Sequence, residues 1–141
     1  MPLGITRTDL RALAQAKIDD AILLLTNGRA SNAYYLAGYA IELSLKACIA
    51  AQVTAETIPD KEFIKRILNH DFGTLIGLAG LAPQLKAKKD GDPVFAANWA
   101  IVSEWEPDSR YEAKDTMATQ LIIQAIVDPK AGVLEWIKAY W

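Results

Sequence analysis

Apolar residues recur along this chain with the 3.6-residue period of helices, and no stretch shows the sustained alternation of a strand. The most regular segment is Ser31 to Ala51, SNAYYLAGYAIELSLKACIAA, where Gly38, Ile41, Leu45, Cys48 and Ile49 mark a face for burial. Ala37, Gly38 and Ala40 are small enough for another helix to approach closely. Tyr34, Tyr35 and Tyr39 put aromatic bulk on more than one side, as in a central or interface helix. An earlier helix is predicted from about Thr8 to Thr26, with Thr8 as N-cap and Asp9 at the positive end of the helix dipole. Its stripe is Leu10, Leu13, Ala14, Ala16, Lys17, Ala21, Leu24 and Leu25, and Asn27-Gly28 ends it.

After the central helix, which runs to about Val53, Thr54 to Pro59 reads as a loop. Asp60 opens a short helix with Phe63, Ile64, Ile67 and Leu68 inward. A weaker helical segment, His70 to Leu81, carries Phe72, Leu75, Ile76, Leu78 and Leu81 but also three helix-weakening glycines, Gly73, Gly77 and Gly80. Lys86, Lys88, Lys89, Asp90 and Gly91 make Pro83 to Asp92 read as a solvated loop. Asp92 as cap and Pro93 in the first turn start the next helix, with Val94, Phe95, Trp99, Ile101 and Val102. Glu104 to Ser109 breaks it. Asp115 or Thr116 caps a helix through Val127 with the stripe Leu121, Ile122, Ala125 and Ile126. Asp128-Pro129 then kinks it or caps a new helix bearing Val133, Leu134, Trp136, Ile137 and Tyr140. The reading is one all-α domain over residues 1–141, a bundle of four or more helices.

Composition narrows the function classes. The chain has 141 residues, 52% of them apolar, enough for one real core. Net charge of −2 provides no global field toward nucleic acid or membrane. The N-terminal MPLGITRTDLRALAQ has no apolar leader pattern. Glu42 and Lys46 interrupt the best apolar run, so no membrane span is expected, and a cytoplasmic location follows as the default. One cysteine and one histidine exclude a disulfide framework and a Cys/His zinc site. No P-loop or G-x-G-x-x-G is present, and no cofactor is expected. Cys48, inside an apolar helix, reads as a small buried hydrophobe.

Candidate chemistry centres on a few polar residues. Glu42 lies at the edge of the buried face, where a carboxylate needs a partner. Lys46 one turn later is one choice; Arg110, reaching back to fix the loop before the last helices, is the favoured one. A third reading makes Glu42 a catalytic or ligand-binding carboxylate. His70 at a helix junction can cap, or with Arg66 can bind an anion or assist phosphodiester chemistry. In Trp105 to Tyr111, WEPDSRY, two aromatics flank Arg110. Such a segment packs as an anchor, or lets Arg110 meet a phosphate while an aromatic stacks on a base.

The second helix also resembles the HEPN domain family (higher eukaryotes and prokaryotes nucleotide-binding). Ala33, Tyr35, Leu36, Ala37, Tyr39, Ala40, Ile41, Glu42, Leu45, Lys46 and Ala47 carry the likeness, followed by His70, Asp71, Phe72 and Leu75 and a late Arg110-Tyr111. The likeness spans roughly Asp9 to Trp141. It implies an antiparallel helical bundle, often homodimeric, with a polar cleft near Glu42, Lys46 and Arg110. Family members include RNases of toxin–antitoxin and defence systems and non-catalytic companions of small nucleotidyltransferases. The RNases carry Arg, a gap of several residues, then His near the start of the last helix; here Arg110 is followed by YEAKDTMATQ without His. The expectation is therefore a non-catalytic domain that binds a nucleotide, a nucleic acid or a partner protein such as a small nucleotidyltransferase. Arg110 would meet phosphate or hold Glu42, Tyr111 and Trp105 would shape the pocket wall, and Lys46 would offset anionic charge. The alternatives are a divergent metal-independent RNase using His70 and Arg110, and a purely structural dimerisation module.

Overall fold

A computed structural model describes residues 4–141; residues 1–3, the start of the stretch without a leader pattern, lie outside it. The chain is an all-α bundle: α1 (Arg7–Thr26), α2 (Ala30–Ala50), α3 (Lys61–Ile67), α4 (Phe72–Leu78), α5 (Ala82–Gly91), α6 (Pro93–Ser103), α7 (Thr116–Val127) and α8 (Val133–Lys138), with a 3-10 turn over Pro107–Tyr111. No strand occurs among the described residues. No helix there is long and apolar enough to cross a membrane.

Helices α1 and α2 form a hairpin. Gly28, at φ 76, takes the left-handed conformation that lets the chain reverse. Leu10 and Ala14 at the start of α1 meet Leu43 and Ala47 late in α2, so the pair is antiparallel. Helix α2 is the axis of the molecule: α1, α4, α7, α8 and the 3-10 turn all pack on it. Its buried residues include Ala33, Ala37, Ile41, Leu45, Cys48 and Ile49. One core cluster joins these to Phe72, Leu75, Phe95, Val102, Ile122, Ile126, Val133 and Ile137.

Most caps lie where the sequence places them. Asp60, Asp92 and Asp115 each accept a backbone N–H from three residues on. Asp71 does the same for Thr74 and so starts α4. The α1 cap differs. It is Thr6, not Thr8, and Asp9 completes a capping box by accepting from the Thr6 N–H. The α1 stripe also differs in phase: Ile18 is buried, whereas Leu13 and Ala16 are exposed. Residues 83–92 are not a loop. Pro83 sits in the first turn of α5, Leu85 is its one buried residue, and Lys86–Asp90 and Lys88–Asp92 are pairs one turn apart. In α3 nothing is fully buried; Phe63 and Ile67 are half-buried and Ile64 and Leu68 are exposed. Val94 and Leu121 face solvent in the same way, and Ile123 takes the place of Leu121 in the α7 core face. Asp128 does not cap a helix at Pro129. It accepts from the Lys130 and Ala131 N–H groups and closes a turn, and α8 begins after Gly132.

Candidate functional site

Tyr35, Tyr39, Glu42 and Lys46 follow one another along one side of α2, three or four residues apart. Glu42 is buried, at 2% exposure. Its Oε1 lies 2.8 Å from His70 Nδ1 and its Oε2 3.2 Å from Lys46 Nζ. A carboxylate accepts, so Nδ1 of His70 carries the hydrogen and Nε2 is left free. His70 is about half-exposed, at 53%. The link between α3 and α4 holds it in place: Asn69 Oδ1 accepts the Asp71 N–H at 2.8 Å, and Asp71 caps α4.

Glu42 therefore has two cationic or polar partners, and neither is Arg110. Arg110 forms no ion pair among the described residues. It is exposed at the end of the 3-10 turn, its guanidinium 4.8 Å from the centre of the Tyr111 ring. Polar contact with the Tyr111 side chain, and then with Tyr35, pushes its pKa up. The position of this corner is fixed from the other side of the chain. Ser31 Oγ accepts the Lys114 N–H at 2.9 Å, and the Thr119 hydroxyl donates to Ala30 O at 3.0 Å. Lys114 pairs with Glu112 and stands over Tyr34.

Trp105 is buried beside Tyr35. Its indole stacks on Phe72 (5.4 Å between centres, 3° between planes) and lies 6.0 Å from Tyr35. It covers Gly38 so closely that a Cβ on that residue would stand 2.1 Å from the ring. Gly38 thus admits the Trp105 side chain, while Ala37 and Ala40 are fully buried in the core around α2, on which α1 packs. The indole Nε1 and the Ser109 hydroxyl, both buried, have no hydrogen-bond partner among the described residues.

Beside this indole is a cavity of about 780 Å³, within the range of ligand sites. Phe72, Trp99, Trp105 and Leu85 form apolar wall, His70 and Asn69 stand at one side, and Asp71, Glu104 and Glu106 supply three carboxylates. The six candidates from the sequence thus fall into two groups. His70 and Trp105 line the cavity, with Glu42 and Lys46 connected to it through the Glu42–His70 contact; Arg110 and Tyr111 form a separate corner outside its lining. Tyr111 is 76% exposed and walls nothing. Trp99 and the acidic residues were missed as site residues. Trp99 reads as core from its helical spacing, and Glu104-Trp105-Glu106 reads only as a helix break.

Chemically, the His70–Glu42 pair holds an imidazole in one orientation, as a proton-transfer dyad requires. No group of three or more His, Cys, Asp or Glu among the described residues is placed to hold a metal ion. Comparison of the chain with protein-family models, with curated proteins and with solved structures finds no match.

Proposed function

We propose that this chain is a non-catalytic, HEPN-like binding domain for a nucleotide or a single-stranded nucleic acid, engaged through Arg110 and Tyr111. The observation that carries this reading is the state of Arg110: solvent-facing, without an acidic partner among the described residues, and held beside two tyrosines. A guanidinium in that setting can fork onto a phosphate while Tyr111 stacks on a base. Tyr39 and the Lys17 ammonium, 5.9 Å from the centre of its ring, extend the same aromatic and cationic surface along α2. Binding of ATP and of a short oligouridylate, followed by calorimetry, tests the reading. Wild type should bind at least one of them, and Arg110→Ala should weaken it without changing the melting temperature. A wild type that binds neither would leave the partner-protein reading, in which the same corner docks on a companion such as a small nucleotidyltransferase.

One observation favours the RNase alternative, the 2.8 Å contact of His70 with Glu42. In that reading His70 Nε2 moves the proton, and His70→Ala abolishes cleavage of RNA. Two facts weigh against it. Arg110 does not share the cavity with His70, and three carboxylates there repel a phosphodiester.

A further inference from the structure

Five side chains from α1, α2 and the 3-10 turn stand in a row. Tyr35 and Tyr39, one turn apart on α2, have ring centres 6.0 Å apart and planes 27° from parallel. The Lys17 ammonium, from α1, is 5.9 Å from the centre of the Tyr39 ring. At the other end Arg110 lies over Tyr111, at 4.8 Å, and touches the Tyr35 side chain. The order is Lys17, Tyr39, Tyr35, Arg110, Tyr111, so two aromatic rings separate two cations.

Two independent observations mark this row as a surface for a ligand. The first is charge. Neither Lys17 nor Arg110 has an ion-pair partner among the described residues. Glu42, the acid that follows Tyr39 on α2, is buried and matched by Lys46. The second is support. Tyr35 and Tyr39 are half-buried, and Tyr35 also packs at 6.0 Å from the Trp105 indole, which is itself stacked on Phe72. Rings fixed in this way lose little freedom when a ligand settles on them. Cations spaced by aromatic rings suit a ligand whose negative charge repeats and whose flat groups lie between the charges. A mononucleotide carries its phosphate at one end and can meet only one of the two cations.

We propose that the ligand of this surface is a single-stranded polynucleotide of about four nucleotides or more, laid along α2 from Arg110 to Lys17. One phosphate meets Arg110, a later one meets Lys17, and the bases between them rest on Tyr111, Tyr35 and Tyr39. The inference rests on the Arg110 reading above and adds a second anchor to it. A duplex is disfavoured, because its bases are stacked inward and cannot reach the rings.

The test is calorimetric titration with UMP and with oligouridylates of increasing length. Affinity should rise with length and level off at about four nucleotides. Lys17→Met keeps an apolar stem beside Tyr39 and removes the charge. It should lower the ratio of oligomer to UMP affinity roughly five-fold, the upper end for a solvent-accessible ion pair. The salt slope of oligomer binding, about −1.4 for two phosphates of a single strand, should shrink to about −0.7 in the same variant. Oligothymidylate should show the same length dependence, since phosphate and base ring are common to both polymers, and a duplex of equal length should bind less tightly. The inference is overturned if affinity is independent of length, if Lys17→Met moves neither the ratio nor the slope, or if the duplex binds as well as the single strand. Should UMP bind wild type and not Arg110→Ala while any of those results is found, the Arg110 reading stands and this inference alone falls. Absence of binding by UMP and by every oligomer removes both.

Discussion

His70 Nδ1 lies 2.8 Å from Glu42 Oε1, a contact that ties the α3–α4 link to the middle of α2 across 28 positions of sequence. Lys46 holds the other carboxylate oxygen at 3.2 Å. The two partners are not equal in burial, at 53% exposure for His70 and 17% for Lys46. Losing Lys46 leaves a buried carboxylate with one neutral-capable partner, whereas losing His70 lets water take its place. Lys46→Met should therefore cost about 3 kcal/mol, the lower limit for orphaning a buried charge. His70→Ala should cost about 1 kcal/mol. Urea unfolding of both variants checks the order, and a larger loss from His70→Ala would show that the ammonium is not the main counter-charge.

Gly38 poses a contest of opposite effects. An alanine inside a helix is favoured over glycine by about 1 kcal/mol. Here the added methyl would lie 2.1 Å from the Trp105 ring, which is hemmed in by Phe72 and Tyr35. Overpacking of that kind costs about 1–3 kcal/mol and more where the neighbour cannot retreat. Gly38→Ala should destabilise by at least about 2 kcal/mol in chemical denaturation. In a Trp105→Leu background the same substitution should cost far less or become favourable, and equal costs in the two backgrounds would rule out the clash.

Arg110 supplies a third expectation, because it binds nothing acidic among the described residues. Arg110→Ala should leave the melting temperature unchanged and lower ATP or oligouridylate affinity about tenfold, the worth of one charge-assisted hydrogen bond. Arg110→Lys should recover only part of the loss, since an ammonium lacks the planar fork. A clear fall in melting temperature for Arg110→Ala would instead give this side chain a structural task. Measuring affinity against salt adds a second readout, a slope reduced by about one in the variant.

How much of this was legible in the chain depends on the range of the interaction involved. Asp60, Asp92 and Asp115 announce helix starts because a cap needs only three neighbouring residues. The period of Ile41, Leu45, Cys48 and Ile49 identifies α2 because its burial repeats along one element. Helix α5 escapes notice because it buries only Leu85, and its stability rests on a proline start and on charge pairs that composition alone reads as a loop. The site is harder still. That Glu42 needs a partner is a local fact, since a carboxylate on a core face must be satisfied. That His70 joins Lys46 there while Arg110 does not is set by how the α3–α4 link and the 3-10 turn pack on α2. That packing depends on Trp105 seating over Gly38, a contact that leaves no periodic trace.

Cys48 gives a prediction whose sign is fixed by burial. The thiol is 1% exposed in α2, and its surroundings raise its pKa from 9.0 to about 11, chiefly by desolvation. The folded state thus keeps the neutral thiol where the unfolded chain would ionise. The associated stability is fully present below pH 9, and it is lost as pH rises toward 11. Its size is on the order of 2–3 kcal/mol. Tyr34 and Tyr39, also raised by burial, add losses of the same sign in the alkaline range, so the cysteine must be isolated by comparison. Cys48→Ala should be less stable than wild type at pH 7 by about 1 kcal/mol, for the lost packing. It should fall less steeply at high pH, so that the two stability curves converge or cross before pH 11. In the folded protein the thiol should also resist Ellman's reagent at pH 8 and react at once in denaturant, because the thiolate is the nucleophile. Parallel stability curves, or rapid labelling of the native protein, would mean that this part of α2 opens to water.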